Sequence, residues 1–177
     1  MAKAKVISAF PLCGKTYAVR NKKDEDKFLD SDSSAYSWRS GFSIYGKKVR
    51  NPEFPGNYIK HIKENLTRQD IIFVSSHLEV RNALHDAEIP FTIVCPLESR
   101  RDEWIARSVM RGDSPDFTKP LYLHWNGWIR EIKKEEKAGT PVVWLKKGQY
   151  ISDVSTYTGI LIGGFSIERE KLNPLWG

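Results

Sequence analysis

The segment that most constrains the fold is VISAFPLCGKTYA, at residues 6–18, where a short apolar run meets a Gly-Lys-Thr triplet. The run KVISAF is apolar and rich in β-branched residues, which is typical of a buried strand. The residues KTYAVRNKK can form a helix that is basic at its end, as a helix C-terminus prefers. A Gly-Lys-Thr triplet between a buried strand and a helix is typical of backbone amides that cradle phosphate. We therefore expect a phosphate-binding loop here.

The loop departs from the usual pattern, Gly, four residues, Gly-Lys-Ser/Thr, because Ala9 occupies the first glycine position. Alanine is the smallest substitute for a glycine that mainly eases a turn. We expect Lys15 to reach the outer phosphates and Thr16 to offer its hydroxyl to magnesium. The expected nucleotide-binding residues are Pro11, Leu12, Cys13, Gly14, Lys15, Thr16 and Tyr17. The alternative is a chance triplet in a basic protein.

Strand-like and helix-like segments alternate along the chain. Strands are expected in KVISAF, KFLDSDSS, DIIFVSSH, PFTIVCP and PVVWL, and amphipathic helices lie between them. This alternation predicts an α/β fold with a five-stranded parallel sheet covered on both faces, a three-layer sandwich. Ligands of such folds gather at the carboxyl ends of the strands, where the candidate motifs lie.

Length, charge and cysteine content narrow the functional classes. The 177 residues are expected to form one domain, and the net charge of +6 favours anionic partners such as nucleotides or nucleic acid. A solvated basic surface is the alternative. No apolar run approaches the ~20 residues of a membrane span, and no secretory signal opens the chain. The two cysteines lack metal-type spacing, so we expect a reduced, cytoplasmic protein with no membrane partner.

Five stretches together resemble the small phosphate-loop nucleotide kinases of bacteriophages: SAFPLCGKTYA, LDSDSSAYSW, NPEFPGNYIKHIK, DIIFVSSHLEVRNAL and WIARSVMRG. More broadly they resemble nucleoside monophosphate kinases, shikimate kinase and gluconate kinase, over about residues 5–140. The phage-type loop usually begins Ala-Phe-Pro-Gly, so Ala9 fits it, whereas Leu12 replaces its glycine.

The resemblance implies an organisation and a chemistry. It implies a P-loop NTP hydrolase fold of nucleotide-kinase type, with a core at 1–147, a helical lid at about 98–120 and an extension of the same domain at 148–177. It also implies an ATP-dependent phosphotransferase that uses Mg²⁺, located in the host cytoplasm if the chain is phage-encoded. The oligomeric state is left open.

The carboxylates of Asp30 and Asp32 end the second expected strand. Such a pair resembles shikimate kinase, which implies that Asp30 helps to hold magnesium and that Asp32 contacts the acceptor hydroxyl. Physically, a hydroxyl acceptor needs a group that takes its proton, and a positioned carboxylate can do so. The alternative is that these residues cap a helix or form a turn.

Polar residues also follow the strongest expected strand. Ser75, Ser76 and His77 would face the transfer site, and Arg81 lies one helical turn further along. The resemblance to gluconate kinase implies acceptor binding by Ser75, Ser76 and Arg81. The alternative is a serine cap beside an exposed histidine.

Arginines recur in SRRDEWIARSVMRGD. Arg107 and Arg111 are four residues apart and so share a helical face. Arginines on a mobile lid can close over phosphates and stabilise charge during transfer, so both are candidate catalytic residues. The alternative is a solvated face that pairs with Asp102 and Glu103. The basic run YGKKVR at 45–50 is either an acceptor-binding loop or a plain basic loop.

Three functions follow from these motifs. The first is a kinase of a nucleoside or deoxynucleoside monophosphate, which we favour because no base-reading module or long basic stripe is present. The second is a kinase of a hydroxyl on a polynucleotide or on a modified base in DNA, such as a hydroxymethyl pyrimidine. The third is a non-catalytic nucleotide-binding protein, which would have no need of the Asp30/Asp32 pair.

Overall fold

The computed structural model describes residues 4–44 and 47–154 of the chain. Within them a five-stranded sheet has the spatial order β2-β5-β1-β6-β7, and every neighbouring pair is parallel. Its strands are β1 (Lys5–Ala9), β2 (Phe28–Asp30), β5 (Ile71–Ser75), β6 (Phe91–Pro96) and β7 (Val142–Leu145). All five were expected from the sequence, and the α/β class with a parallel sheet is confirmed.

Helices flank this sheet. They are α1 (Lys15–Arg20), α2 (Ser34–Ser37), α3 (Gly56–Asn65), α4 (Leu78–Asp86), α5 (Arg101–Arg111) and α6 (Pro115–Lys137), with short 3₁₀ turns at Glu98–Arg100 and Ile151–Asp153. The apolar face predicted for α3 is confirmed, since Tyr58, Ile59 and Ile62 are buried on it.

The central strands are buried on both faces. Successive side chains of a strand point to opposite faces, so a strand with one solvated face alternates between buried and exposed residues. In β1 the last four residues are all buried, and in β5 the first four are. Both faces of the sheet are therefore covered at its centre, which is compatible with a three-layer arrangement.

The chain order places a crevice beside β1. From β1 the chain passes to β2 on one side of it, and from β6 it passes to β7 on the other side. Neighbouring strands whose connections leave in opposite directions open a crevice at their carboxyl ends, where ligands of open α/β sheets bind. The loop after β1 lies at this position, and the Phe10 amide donates to the Val94 carbonyl of β6 at 2.9 Å.

A second, two-stranded sheet was not predicted from the sequence. Strands β3 (Trp38–Ile44) and β4 (Lys47–Arg50) pair antiparallel, in the region interpreted as a basic loop. Tyr45 of that run lies outside the described residues. The tail from residue 146 to the end, expected as a hairpin or loose extension, is described only to residue 154 and forms a short 3₁₀ turn at Ile151–Asp153.

Helix α6 begins earlier than the sequence predicted. We expected a helix from about Tyr122, after Pro120, and the helix instead begins at Pro115 and contains Pro120. Pro115 stands at the first helical position, where proline is tolerated because its missing N–H would have had no partner. Across residues 4–44 and 47–154, none of the helices is long and apolar enough to cross a membrane.

Candidate active site

The loop after β1 has a backbone that glycine and one strained residue make possible. Gly14 caps the N-terminus of α1 with φ of 91°, and Leu12 has φ of 65°. Non-glycine residues adopt positive φ at an energetic cost, and such strain clusters at binding sites. Leu12 replaces the glycine of the phage-type loop, and it nevertheless adopts a conformation that glycine would favour.

Lys15 and Thr16 open helix α1 and are accessible to solvent. The Lys15 ammonium lies 3.5 Å from the Ala9 carbonyl, and the Thr16 hydroxyl donates to Asp30 Oδ2 at 2.7 Å. The two side chains that the sequence analysis assigned to magnesium, Thr16 and Asp30, are therefore in direct contact. This contact joins the start of α1 to the end of β2.

A cleft of about 220 Å³ opens over the loop. Its lining comprises Leu12, Cys13, Gly14, Lys15, Thr16, Tyr17, Arg107, Arg111 and Tyr150. Six of the seven residues assigned to nucleotide binding line it, as do Arg107 and Arg111 of α5. The seventh, Pro11, uses its carbonyl to accept a 2.8 Å hydrogen bond from the Trp104 indole. The volume is below the ~300–1,000 Å³ of typical ligand pockets, so this cleft suits phosphate groups better than a whole nucleotide.

Cys13 contributes no negative charge to the cleft. Burial raises the pKa of its thiol to about 12, although Lys15 and Arg107 act in the opposite direction. Its sulfur lies 3.8 Å from the Val94 carbonyl. At neutral pH the loop therefore holds a neutral thiol that does not repel phosphate.

Tyr150 forms a wall of the cleft that sequence reasoning missed. A Cβ placed on Gly14 would lie 3.2 Å from Cδ1 of Tyr150, so the ring lies directly over the glycine. The Ile151 amide then donates to the Cys13 carbonyl at 2.8 Å. The sequence of this tail indicates only a hairpin or loose extension, so no local pattern signals that Tyr150 and Ile151 contact the loop after β1.

Arg107 is buried and joins three segments of the chain. Its guanidinium donates to the Leu12 carbonyl at 3.3 Å, to the Gln149 carbonyl at 2.9 Å and to Glu103 at 2.7 Å. It lies 4.0 Å from the Trp104 ring centre and 3.9 Å from that of Tyr150. Arg107 therefore holds the loop and the segment at 148–150 together in this structure, rather than standing on an open lid. Pairing with Glu103 was the alternative considered from the sequence, and Arg107 does form this ion pair.

Arg111 is different, because its side chain is half exposed. It makes a two-pronged contact with Asp113, with both distances at 2.8 Å, and its guanidinium lies near the Phe117 ring. The contact with Asp113 lies at the surface, so Arg111 remains accessible to an anion in the cleft. The tryptophans Trp104, Trp125 and Trp128 pack in or against the core.

The residues predicted to bind the acceptor lie at the carboxyl ends of β2 and β5. Both the hydroxyl and the amide of Ser33 contact the Ser75 hydroxyl, at 2.8 Å and 3.3 Å. Asp32 is exposed, and its Oδ1 accepts the Ser34 amide at 2.9 Å, which is the turn-forming contact considered as the alternative. Oδ2 of Asp32 makes no hydrogen bond to any residue that the structure describes. One carboxylate oxygen of Asp32 therefore stabilises a turn, and the other is accessible.

The structure does not bring Arg81 to an open surface. Its side chain is 3% exposed and donates to Glu135 at 2.7 Å, and it also bonds the Ser76 carbonyl. Arg81 therefore ties the start of α4 to α6. The resemblance to gluconate kinase implied acceptor binding by Arg81, and its contact with Glu135 gives no local signal in the sequence because the two residues are far apart in the chain.

His77 lies in a positively charged setting. Loss of solvent around the ring lowers the pKa of His77, and the cations Lys15, Arg50 and Arg81 lower it further, while Asp32 acts in the opposite direction. Arg50 in turn forms an ion pair with Glu79 and lies 4.5 Å from the Phe54 ring centre. Cationic side chains thus surround the ends of β4 and β5.

Searches of family models, curated proteins and solved structures found nothing that matches this chain. No group of three or more His, Cys, Asp or Glu side chains is placed to hold a metal ion within residues 4–44 and 47–154. The functional argument therefore rests on the geometry of the cleft.

Proposed function

We propose that the protein is an ATP-dependent phosphotransferase that moves the γ-phosphate to a small nucleotide-type acceptor, a nucleoside or deoxynucleoside monophosphate. One observation carries the proposal. A loop with Gly14 in the left-handed conformation leads from the central strand to Lys15 and Thr16 at a helix start, and Thr16 contacts Asp30 at 2.7 Å. Lysine, hydroxyl and carboxylate then meet at the crevice of a parallel sheet.

The residues present fit ATP and Mg²⁺. Positive φ at Leu12 and Gly14 is compatible with a loop whose amides turn toward an anion, and the ammonium of Lys15 is accessible beside it. Magnesium prefers oxygen ligands and is usually held by one or two side chains together with substrate phosphates. Thr16 and Asp30 supply such oxygens, and Mg²⁺ would neutralise charge on the phosphates when bound.

The chain's own residues have distinct roles in this proposal. Lys15 and Arg111 place positive charge on the cleft, where negative charge develops during transfer. Arg107 acts by positioning, since it bonds the Leu12 carbonyl and fixes the loop. The finer assignment, a P-loop nucleotide-kinase fold with a lid at about 98–120, is part of the same proposal. It is supported by α5, which lines the cleft through Arg107 and Arg111.

The acceptor would lie beyond the cleft, at the ends of β2 and β5. Asp32, Ser75 and Ser76 offer carboxylate and hydroxyl groups there, and His77 and Arg50 add cationic or polar groups. An anionic monophosphate suits this positive setting. The second candidate is a polynucleotide or modified-base hydroxyl kinase, which the accessible oxygen of Asp32 favours because it can take a proton.

An ATP-consumption screen tests the proposal. Nucleosides, nucleoside monophosphates and DNA are offered with ATP and magnesium, and phosphorylated product is identified by mass. We expect one acceptor class to be phosphorylated, and Lys15→Ala to abolish the reaction while the fold persists. The fold should persist because the Lys15 ammonium is solvent-accessible and makes a single hydrogen bond, to the Ala9 carbonyl, among the residues that the structure describes.

Lys23→Ala is the matched control, since it removes another accessible lysine just after α1. It should keep wild-type turnover. Wild-type turnover in Lys15→Ala contradicts the phosphate-loop assignment, and nucleotide binding without any acceptor product supports the non-catalytic alternative.

A further inference from the structure

A second opening lies on another side of the molecule, between α6 and the edge strand β7. Its volume is about 800 Å³, and none of the residues that line it lines the cleft over the phosphate loop. Trp144 of β7 and Leu97 contribute apolar surface to it, and α6 contributes four cations, Arg130, Lys133, Lys134 and Lys137. We call this opening the α6 groove.

The four cations lie on one face of α6. Their positions are spaced by three, one and three residues, and residues three and four apart are neighbours on a helix surface. Two carboxylates of the same helix point away from the groove, since Glu131 and Glu135 both contact Arg81, whereas Glu136 lies in the groove. Four cations and two carboxylates therefore line the groove, so its lining carries a net positive charge.

The two carboxylates inside the groove are already engaged. Glu98 forms an ion pair with Lys133, and Glu136 accepts the Trp144 indole N–H at 2.9 Å. The side chains of Arg130, Lys134 and Lys137 are exposed and make no hydrogen bond or ion pair to any residue that the structure describes. Three accessible cations therefore border the groove, whereas Glu98 is paired with Lys133 and Glu136 keeps its charge beside the neutral indole.

We propose that the α6 groove binds single-stranded nucleic acid, with phosphates at Arg130, Lys134 and Lys137 and a base against Trp144. Backbone phosphates bind lysine and arginine by releasing counterions, and aromatic side chains in a positive groove stack bases without reading sequence. The half-buried indole of Trp144 supplies the aromatic surface. This binding goes beyond the proposed phosphotransfer and does not depend on it. It would add a polynucleotide to the partners of the protein.

Fluorescence anisotropy of a labelled oligothymidylate of about 12 nucleotides measures the binding. The triple variant Arg130→Gln, Lys134→Gln, Lys137→Gln should weaken it at least about tenfold. It should also reduce the slope of log K against log salt by about 2, since single strands contribute about 0.7 per phosphate contact. Lys15→Ala should bind like wild type, so failure of the nucleotide site and failure of the groove are distinguishable.

A triple variant of equal charge change provides the control. Lys60→Gln, Lys63→Gln, Arg68→Gln removes exposed cations on α3 and just after it. We expect less than about a twofold loss there, because contacts rather than net charge carry binding. Trp144→Leu should lose about fivefold and Trp144→Phe should retain affinity, since phenylalanine keeps a stacking surface.

Three results would overturn the proposal: equal losses in the two triple variants, competition by polyglutamate as strong as by oligothymidylate, or tighter binding of duplex than of single strands. The second would make the groove a surface for acidic protein chains. Oligouridylate that binds as well as oligothymidylate supports the proposal, because phosphate contacts and stacking do not distinguish the sugars.

Discussion

The hydroxyl of Thr16 donates a 2.7 Å hydrogen bond to Asp30 Oδ2, across the gap between the start of α1 and the end of β2. Both oxygens are suitable for a hard cation, directly or through water. The contact explains how two residues that are fourteen positions apart come to form one candidate magnesium site. It also defines how that site can be tested without disturbing the core, because Thr16 is exposed.

Thr16→Val should raise the magnesium concentration needed for half-maximal ATP consumption by about 10–100-fold, the usual cost of losing a group that supports a metal. Nucleotide binding without magnesium should change little. Thr16→Ser keeps the hydroxyl and should behave like wild type. A magnesium titration of the valine variant that matches wild type would remove Thr16 from the site.

Arg107→Ala and Arg111→Ala should differ in their effect on the free energy of unfolding. Arg107→Ala removes the ion-pair partner of Glu103 and leaves that carboxylate the Gly148 amide, and breaking a buried pair costs about 3–5 kcal/mol. Because the Glu103 side chain is 24% exposed, we expect about 3 kcal/mol, the low end of that range. In the pair of Arg111 with Asp113 the arginine is 52% exposed and the aspartate 16%, and Asp113 keeps the Ser108 hydroxyl as a partner. Arg111→Ala should therefore cost about 1 kcal/mol, the upper end for exposed pairs, and should lower turnover instead. Denaturant unfolding and steady-state kinetics measure both effects.

Arg107→Met combined with Glu103→Gln is the companion variant. Removing both charges should recover part of the stability lost in Arg107→Ala, because no unpaired carboxylate remains. If Arg107→Ala is as stable as Arg111→Ala, Arg107 does not hold the loop. Unchanged turnover in Arg111→Ala reduces Arg111 to a surface partner of Asp113.

Arg81 should affect stability rather than acceptor recognition. Arg81→Met leaves Glu135 in a site where its side chain is 16% exposed, and we expect a loss of about 3–5 kcal/mol. The double variant Arg81→Met, Glu135→Leu should be closer to wild type. The KM for the acceptor, measured on folded protein, should stay the same. A stable Arg81→Met protein with a raised acceptor KM would restore the role predicted from the sequence.

Local patterns predicted the parts of the site that lie within one strand–loop–helix unit. Lys15 and Thr16 at the start of α1, and Asp30 at the end of β2, follow from apolar runs that end in polar residues. The contact between Thr16 and Asp30 required the parallel sheet, which alternation of strands and helices also predicted. All five strands of the parallel sheet lie within the segments that the sequence predicted as strands.

Contacts between distant segments could not be predicted in this way. Tyr150 over Gly14, and Glu135 against Arg81, join residues that are far apart in the chain and carry no shared pattern. The pairing of β3 with β4 was missed because the basic residues of β4 were interpreted as a loop. The start of α6 was placed too late because Ser114 and Pro115, an N-cap residue and a first-turn proline, were not recognised as a helix start.

His77 should contribute to the pH dependence of stability. Its folded pKa lies below the ordinary value of 6.5, so the unfolded chain takes up the proton more readily. Stability should therefore fall as the pH drops below about 6.5. His77→Gln should reduce this loss, and His124→Gln, on exposed α6 surface, should not. If the free energy of unfolding falls equally for wild type and His77→Gln from about pH 7 to 5, His77 does not contribute to the pH dependence.

Asp32 distinguishes the two acceptor classes. Asp32→Asn keeps an Oδ1 that can accept the Ser34 amide, so the turn and the ATP affinity should be unchanged. If the acceptor is a hydroxyl, loss of the proton-accepting oxygen should lower turnover at saturating acceptor by about 10²–10⁴-fold. If the acceptor is a monophosphate that Asp32 only orients, the KM for the acceptor should rise while turnover holds. Asp32→Ala serves as the control for the turn, since it also removes Oδ1. If transfer is unchanged in Asp32→Asn, the carboxylate only forms the turn, and the acceptor does not bind at the end of β2.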